Sequence, residues 1–227
     1  MEYTITRRSR VTRRLHMELD ENGGLVVVAP CHWPVSHVYA TLSQNTSRVE
    51  RFLTRARKQQ FEAPRFVNGE LHFYLGQRYP LYINAANGQS VVIFNGEELR
   101  VRANTDNSER IRSAMQAWYR IKAQEVLSTR LREVAGKAWW VCDASISLKL
   151  RRMKRTWGNC SSKGVIKLNT HLIKAPLKLI DSVVAHELCH LKEMNHGKAF
   201  YHLLQGLNPG WREDRRRLRS EGGMYLL

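Results

Sequence analysis

Short apolar runs, alternating or continuous, dominate the first hundred positions of this chain. Leu15, Met17 and Leu19 alternate with polar residues, and an apolar run at 25–29 follows the turn-forming pair Asn22-Gly23, a pattern that predicts a β-hairpin. Residues 35–59 instead show helical periodicity. Four further strands are predicted at residues 71–74, 79–84, 91–94 and 99–103. We therefore predict a β-rich first half with one inserted helix.

The second half changes to longer helical patterns. Residues 109–134 form an amphipathic pattern that predicts one long helix. Two strands are predicted, near 146–148 and 165–168, around a turn-rich stretch at 158–164. With a break expected at 104–108, we predict an α+β protein with a β-rich region at 1–105 and a second domain at 106–227.

A last amphipathic helix is predicted over residues 176–194. Pro176 suits the first helical turn, and apolar residues recur at three- and four-residue spacing behind it. Asn195 and Gly197 can both adopt a left-handed backbone, so a sharp turn is expected there. That turn would bring His196 back toward the helix.

The string His186-Glu187-Leu188-Cys189-His190 lies within this predicted helix. Residues four apart share one helical face, so the two histidines can bind one metal ion while Glu187 flanks it. This is the zincin motif, in which the glutamate acts as general base toward water on Zn²⁺. With His196 as a third ligand, an open position remains for that water.

Other ligand sets remain possible at this stage. A carboxylate such as Glu193 is an alternative third ligand, and Cys189 is a possible fourth one. Cys189 is disfavoured because it lies about 100° around the helix from His190 and would close the site to water. Other divalent transition metals also suit imidazole ligands.

The charge is strongly basic, with 37 Lys and Arg against 20 Asp and Glu, a net charge of +17. Such a field attracts polyanions. One cluster, formed by Arg151, Arg152, Lys154 and Arg155, precedes the metal helix and is expected to border an active-site cleft. No apolar stretch is long enough to span a membrane and no signal peptide is apparent, so we expect a cytoplasmic protein. The four cysteines, Cys142 among them, show no paired spacing and are expected to be free thiols.

The motifs together resemble the YgjP-like metal-dependent hydrolase family over nearly the whole chain. The resemblance rests on the strings at 75–79, 155–162 and 168–169, on Ala175-Pro176, and on the segment 186–200. The metal helix is also similar to that of the SprT-like proteases, which implies a zincin-like fold for the second domain. The resemblance to the YgjP-like family implies zinc binding by His186, His190 and His196, and a catalytic Glu187. The chain departs from the family pattern at Asn159 and at Lys154-Arg155-Thr156.

The resemblance implies either a metallopeptidase or a nucleoside triphosphate pyrophosphohydrolase acting on UTP. The expected partner is accordingly a peptide or an anionic nucleotide. Candidate substrate contacts are Arg151, Arg152, Lys154, Arg155, Lys163, Asn169, Tyr201 and His202. The alternative is a basic module that binds nucleic acid without sequence preference and whose metal site is structural.

Overall fold

The computed structural model describes residues 3–7, 14–19, 24–58, 63–104, 107–141 and 146–226. The predicted turn at Asn22-Gly23 and the thiol of Cys142 lie outside these residues. The chain divides into two compact units, Met1–Phe61 and Glu62–Leu227.

The first unit is a three-stranded sheet with two helices. Its elements are β1 (Tyr3–Arg7), β2 (His16–Leu19), β3 (Leu25–Ala29), α1 (Val35–Gln44) and α2 (Thr46–Lys58). The central strand β3 pairs parallel with β1 and antiparallel with β2, which confirms the predicted hairpin. The single helix predicted at 35–59 was wrong, because Asn45 departs from helical geometry at φ −118° and ψ 30°. Val27, Val38 and Val49 lie in the core of this unit.

The second unit opens with a four-stranded sheet. Its strands are β4 (Leu71–Tyr74), β5 (Gln77–Ala85), β6 (Val91–Phe94) and β7 (Leu99–Ala103), in the order β4-β5-β7-β6. All four strands were predicted. Their buried residues, among them Leu81 and Val101, share a core with Ile111 and Met115 of the following helix. Because of this shared core, the boundary between the compact units lies before the sheet and differs from the predicted division at residues 105 and 106.

The helix α3 (Ser108–Ala135) confirms the long helix predicted at 109–134. It begins where the Asn107 side chain accepts hydrogen bonds from the backbone N–H groups of Glu109 and Arg110. Arg130 in its last third donates two hydrogen bonds to the Asp181 carboxylate, Nε to Oδ1 at 2.6 Å and Nη2 to Oδ2 at 2.5 Å. This ion pair joins α3 to the helix that carries the zincin motif.

A second sheet lies in the same unit. It consists of β8 (Ser147–Arg151), β9 (Gly158–Cys160) and β10 (Val165–Asn169), in the order β8-β10-β9. The two predicted strands correspond to β8 and β10, which pair in parallel. The strand β9 lies in the stretch predicted to be turns, and it pairs antiparallel with β10 through Cys160 and Ile166. Such a three-residue strand forms through pairing with its neighbour and carries no periodic signal of its own.

A short 3-10 helix (Thr170–Lys174) leads into α4 (Leu177–Cys189), α5 (Lys198–Leu207) and α6 (Trp211–Leu226). The helix α4 packs against α3, α5, α6 and β9. Among the described residues, three small sheets and six α-helices confirm the predicted α+β class. None of the described helices has the length and apolar character needed to cross a membrane.

Candidate active site

The start of α4 is held by the turn between β4 and β5. Leu75 and Gly76 both have positive φ, 49° and 85°. Their N–H groups donate to the carbonyls of Ile173 and Lys174 at 3.0 and 2.9 Å. A Cβ at Gly76 would lie 2.6 Å from Cγ of Pro176, so a side chain there would collide with the residue that precedes α4. The contact fixes where the motif helix begins.

The end of α4 differs from the sequence prediction. The helix ends at Cys189, not at residue 194, with His190 as its C-cap. Positive φ among non-glycine residues of the described chain occurs only at Phe66 and Leu75, so the expected left-handed Asn195 was wrong. Gly197 is extended at φ −86° and ψ −171°. The chain therefore reverses through hydrogen-bonded turns after the end of α4. In one of them the N–H of Glu193 donates to the Cys189 carbonyl at 2.9 Å.

Three imidazole rings meet at this turn. His186, His190 and His196 present ligand atoms that all lie within 4.8 Å of one another, and Nε2 of His196 is 3.0 Å from Nε2 of His186. The fully buried ring of Phe200 contacts all three, with centroid distances of 5.0, 4.7 and 4.6 Å. Phe200 on α5 therefore supports the cluster from the protein interior.

The ring of His190 is oriented by the backbone. Its Nδ1 lies 3.0 Å from the carbonyl oxygen of Glu193, so Nδ1–H donates there and Nε2 remains available to a metal ion. Glu193, an alternative third ligand by sequence, thus contacts the site through its main chain. Cys189 is fully buried in the core and is absent from the converging group.

Glu187 lies beside the histidines in a confined position. Its side chain is buried, and Oε2 has no hydrogen-bond partner among the described residues. Burial raises the pKa of this carboxyl to about 7, because a charged carboxylate is poorly solvated there. A Cβ added at Gly158 would lie 2.7 Å from Oε1 of Glu187, so the edge strand β9 passes this carboxylate without room for a side chain.

A cleft of about 460 Å³ opens beside His186 and Glu187. Arg155 enters it from the loop before β9, and Arg215 and Arg219 enter it from α6. The pKa of His186 is lowered to about 4, first by burial and then by the charges of His190, His196 and Arg215. The positive charge of Arg215 therefore lies close enough to the imidazole cluster to disfavour protonation of His186. Apolar walls come from Trp157, Tyr201, Leu204, Trp211, Leu218 and Leu226.

The predicted substrate contacts are distributed over several places. Arg155 and Tyr201 line the cleft. Arg151 and Arg152 line a different cavity. Lys154, Lys163 and His202 are exposed and do not line the cleft.

Asn169 is fully buried and acts within the protein. Its Nδ2 donates to the carbonyls of Met153 and Thr156 at 2.7 and 2.9 Å, while Oδ1 accepts from the N–H of His171 at 3.1 Å. These bonds hold the segment that leads to Trp157 and Gly158. Asn169 therefore positions the cleft wall and leaves its amide no group free for substrate.

Sequence reasoning missed several residues that shape this cleft, among them Gly158, Arg215 and Arg219. Gly158 lies in the stretch predicted to be turns, and neither Arg215 nor Arg219 was predicted as a substrate contact. Their four-residue spacing places both arginines on one face of α6, and that spacing was readable from the sequence. The sequence does not show which face of α6 packs against α4.

The donor set fits a divalent transition metal. Imidazole nitrogens suit Zn²⁺ and its neighbours, and three of them leave an open position. Metal sites of this type have a hydrogen-bond acceptor behind the ligand and a carboxylate beside the ion. Here the Glu193 carbonyl accepts from Nδ1 of His190, and Oε2 of Glu187 is buried without a partner among the described residues. The described residues offer no fourth protein ligand in the converging group.

Several known proteins are similar to this chain. A segment of 56 residues is 38% identical to the UTP pyrophosphatase of Escherichia coli (strain K12), covering 25% of this chain and 34% of that relative. The chain therefore matches about a third of the relative's length. The crystal structure of the metallopeptidase zymogen of Pyrococcus abyssi abylysin is similar with 20% identity and a TM-score of 0.38, over 42% of this chain and 95% of that one. The model of the YgjP-like metallopeptidase domain matches residues 13–221, and the chain therefore belongs to the YgjP-like family.

Proposed function

We propose that this chain is a zinc-dependent hydrolase in which His186, His190 and His196 hold the metal and Glu187 is the general base. The convergence of the three imidazoles beside a buried carboxylate supports this assignment. The raised pKa of Glu187 suits proton transfer near neutral pH, since a base works best when its pKa is close to the operating pH.

The cation would lower the pKa of a water molecule and draw electron density from the substrate oxygen. Glu187 removes the proton from the attacking water and later delivers it to the leaving group. Gly158 keeps the carboxylate in place because the space beside it admits no side chain. The Glu193 carbonyl holds His190 in one tautomer, and Phe200 packs against all three rings.

We favour a nucleoside triphosphate as substrate, and one observation carries this choice: three arginines line the cleft that contains Glu187. A peptide develops a single negative charge in its transition state, whereas a triphosphate brings several charges that need guanidinium partners. The reaction is attack of water on the α-phosphorus of UTP, which breaks the bond to the bridging oxygen and yields UMP and pyrophosphate. The name of the Escherichia coli relative agrees with this reaction.

A peptidase is the second candidate, and the edge position of β9 favours it. Among the described strands, β9 pairs only with β10, so its other edge is available to an extended peptide. Gly158 of this strand lies in the cleft wall. A peptide paired there would pass beside Glu187.

The deciding experiment compares wild type with Glu187→Gln, after loading both with zinc. Each is incubated with UTP, with the other nucleoside triphosphates and with an unfolded protein. We expect pyrophosphate release from wild type and a loss of at least about 100-fold in the variant, with bound zinc unchanged. Glu109→Gln, an exposed change of the same chemistry on α3, is the matched control and should keep full turnover.

Other outcomes select other functions. Peptide fragments without pyrophosphate would establish the peptidase and refute the nucleotide assignment. If neither product forms, and both proteins bind nucleic acid equally with a steep dependence on salt, the basic binding module is correct and the hydrolase proposal fails.

A further inference from the structure

A second cavity, of about 390 Å³, lies in the same compact unit as the catalytic cleft. Three arginines reach it from different elements: Arg120 from α3, Arg151 from the end of β8, and Arg152 from the residue that follows. Neutral hydrogen-bonding groups come from Ser113, Gln116 and Thr170. No lining residue is shared with the cleft that contains Glu187.

The charge of this cavity is entirely positive. No aspartate or glutamate lines it, and within the described part of the chain none of the three arginines has a carboxylate partner. The ring of His171 lies in the wall, and the buried ammonium of Lys174 lies behind it, 4.9 Å from the ring centre of Tyr119. The pKa of Lys174 is lowered to about 8, first by burial and then by repulsion from Arg152. The cations around this cavity therefore repel one another, and an anion bound there would relieve that repulsion.

The shape of the cavity and its donors select the type of anion. Guanidinium groups form paired hydrogen bonds with phosphate oxygens, and three of them around one volume match an anion with several charges. The volume exceeds that of a single hydrated ion. Tyr119 takes no part, because its hydroxyl already donates to the Phe73 carbonyl at 2.7 Å.

We propose that this cavity is a second anion site that binds a diphosphate group through Arg120, Arg151 and Arg152. The group is free pyrophosphate or the diphosphate of a nucleotide. The inference does not rest on the proposed function, because it uses neither the metal ligands nor Glu187.

The test measures binding in metal-free protein, so that hydrolysis plays no part. Arg215→Ala/Arg219→Ala serves as the background, because the loss of two cleft arginines is expected to weaken anion binding in the cleft that contains Glu187. Pyrophosphate is titrated into this protein by calorimetry at low salt, and UDP and UMP are titrated in parallel. We expect one saturable site for pyrophosphate or UDP, with UMP binding about tenfold or more weakly because it lacks one phosphate.

Two further variants locate the site. Arg120→Ala/Arg152→Ala should raise the Kd for the diphosphate by about tenfold or more, and Arg152→Lys, which keeps the charge but loses the paired bonds, should fall in between. The matched control is Arg132→Ala, which removes one exposed charge from the same helix but lies outside the cavity; it should change the Kd by less than about threefold. Because these arginines are exposed, thermal unfolding should remain close to that of the background protein.

The parallel titrations also identify where the bound diphosphate group comes from. Binding of pyrophosphate but not UDP assigns the site to the free ion, and preference for UDP assigns it to a nucleotide. Absence of saturable binding overturns the proposal, as does equal weakening by Arg132→Ala and by Arg120→Ala/Arg152→Ala. Equal affinity for UMP and UDP overturns the assignment to a diphosphate.

Discussion

Gly158→Ala tests the arrangement around Glu187 most directly. The new Cβ would lie 2.7 Å from Oε1 and 2.9 Å from both Cδ and Cγ of Glu187, whereas such contacts require more than 3 Å. Gly158 does not have a positive φ, so alanine is allowed by the backbone and the effect is steric. Glu187 is 5% exposed and packed inside, so it has little freedom to move without leaving its place beside the histidines.

The size of the effect follows from this geometry. A displaced general base loses most of its contribution, which is about 10²–10⁴ in rate, and a misplacement of about 1 Å alone costs about 100-fold. Overpacking costs about 1–3 kcal/mol in stability, less than the ~5–15 kcal/mol of a typical domain, so the protein should remain folded. The three atoms nearest to the added Cβ all belong to Glu187, so the direct effect falls on the carboxylate and metal binding should persist.

The assay follows turnover of whichever substrate wild type hydrolyses, together with bound metal and the unfolding midpoint. We expect at least about a 100-fold loss of kcat with one metal per chain retained. Gly206→Ala is the control, because nothing lies within 4 Å of its added Cβ on α5; it should keep full activity and gain about 0.5–1 kcal/mol in stability. If Gly158→Ala retains turnover within threefold of wild type, Glu187 does not act from the position described.

Three further predictions concern stability and metal binding. Phe200→Ala should lower the free energy of unfolding by about 3–5 kcal/mol and metal affinity by about 10–100-fold, because the fully buried ring contacts all three histidines. Urea unfolding measures the stability, and competition with a chelator measures the metal affinity. A loss of stability with unchanged affinity would contradict the supporting role. Arg130→Ala should cost about 1 kcal/mol in urea unfolding because the partly exposed pair with Asp181 joins α3 to α4, and no loss would show that the pair contributes nothing. Burial, Lys174 and Arg152 lower the pKa of His171 from 6.5 to about 4, so the unfolded chain takes up this proton before the folded one does. The free energy of unfolding should therefore decrease as the pH is lowered from 6.5 to 4, by up to about 1.4 kcal/mol per pH unit. The variant His171→Gln should make this pH dependence shallower, and an equal slope in both proteins would exclude His171 as its source.

Local signals alone determined much of this protein. The HExxH spacing identified His186 and His190, which converge with His196 in the structure, because residues four apart on a helix share a face. The strands β4, β6 and β7 and the helix α3 were predicted to within about one residue, because apolar periodicity and caps such as Asn107 act over a few residues.

Tertiary structure decided the rest, because those features depend on residues distant in sequence. The strand β9 exists through its pairing with β10, and the end of α4 depends on contacts such as the hydrogen bond from Trp140 Nε1 to the Leu188 carbonyl at 3.1 Å. Packing of α6 against α4 brought Arg215 and Arg219 into the cleft that contains Glu187. Packing of β8 against α3 placed Arg151 and Arg152, which are close to Arg155 in sequence, in another cavity. The sequence thus specified which residues can do chemistry, while long-range packing selected which basic residues accompany them.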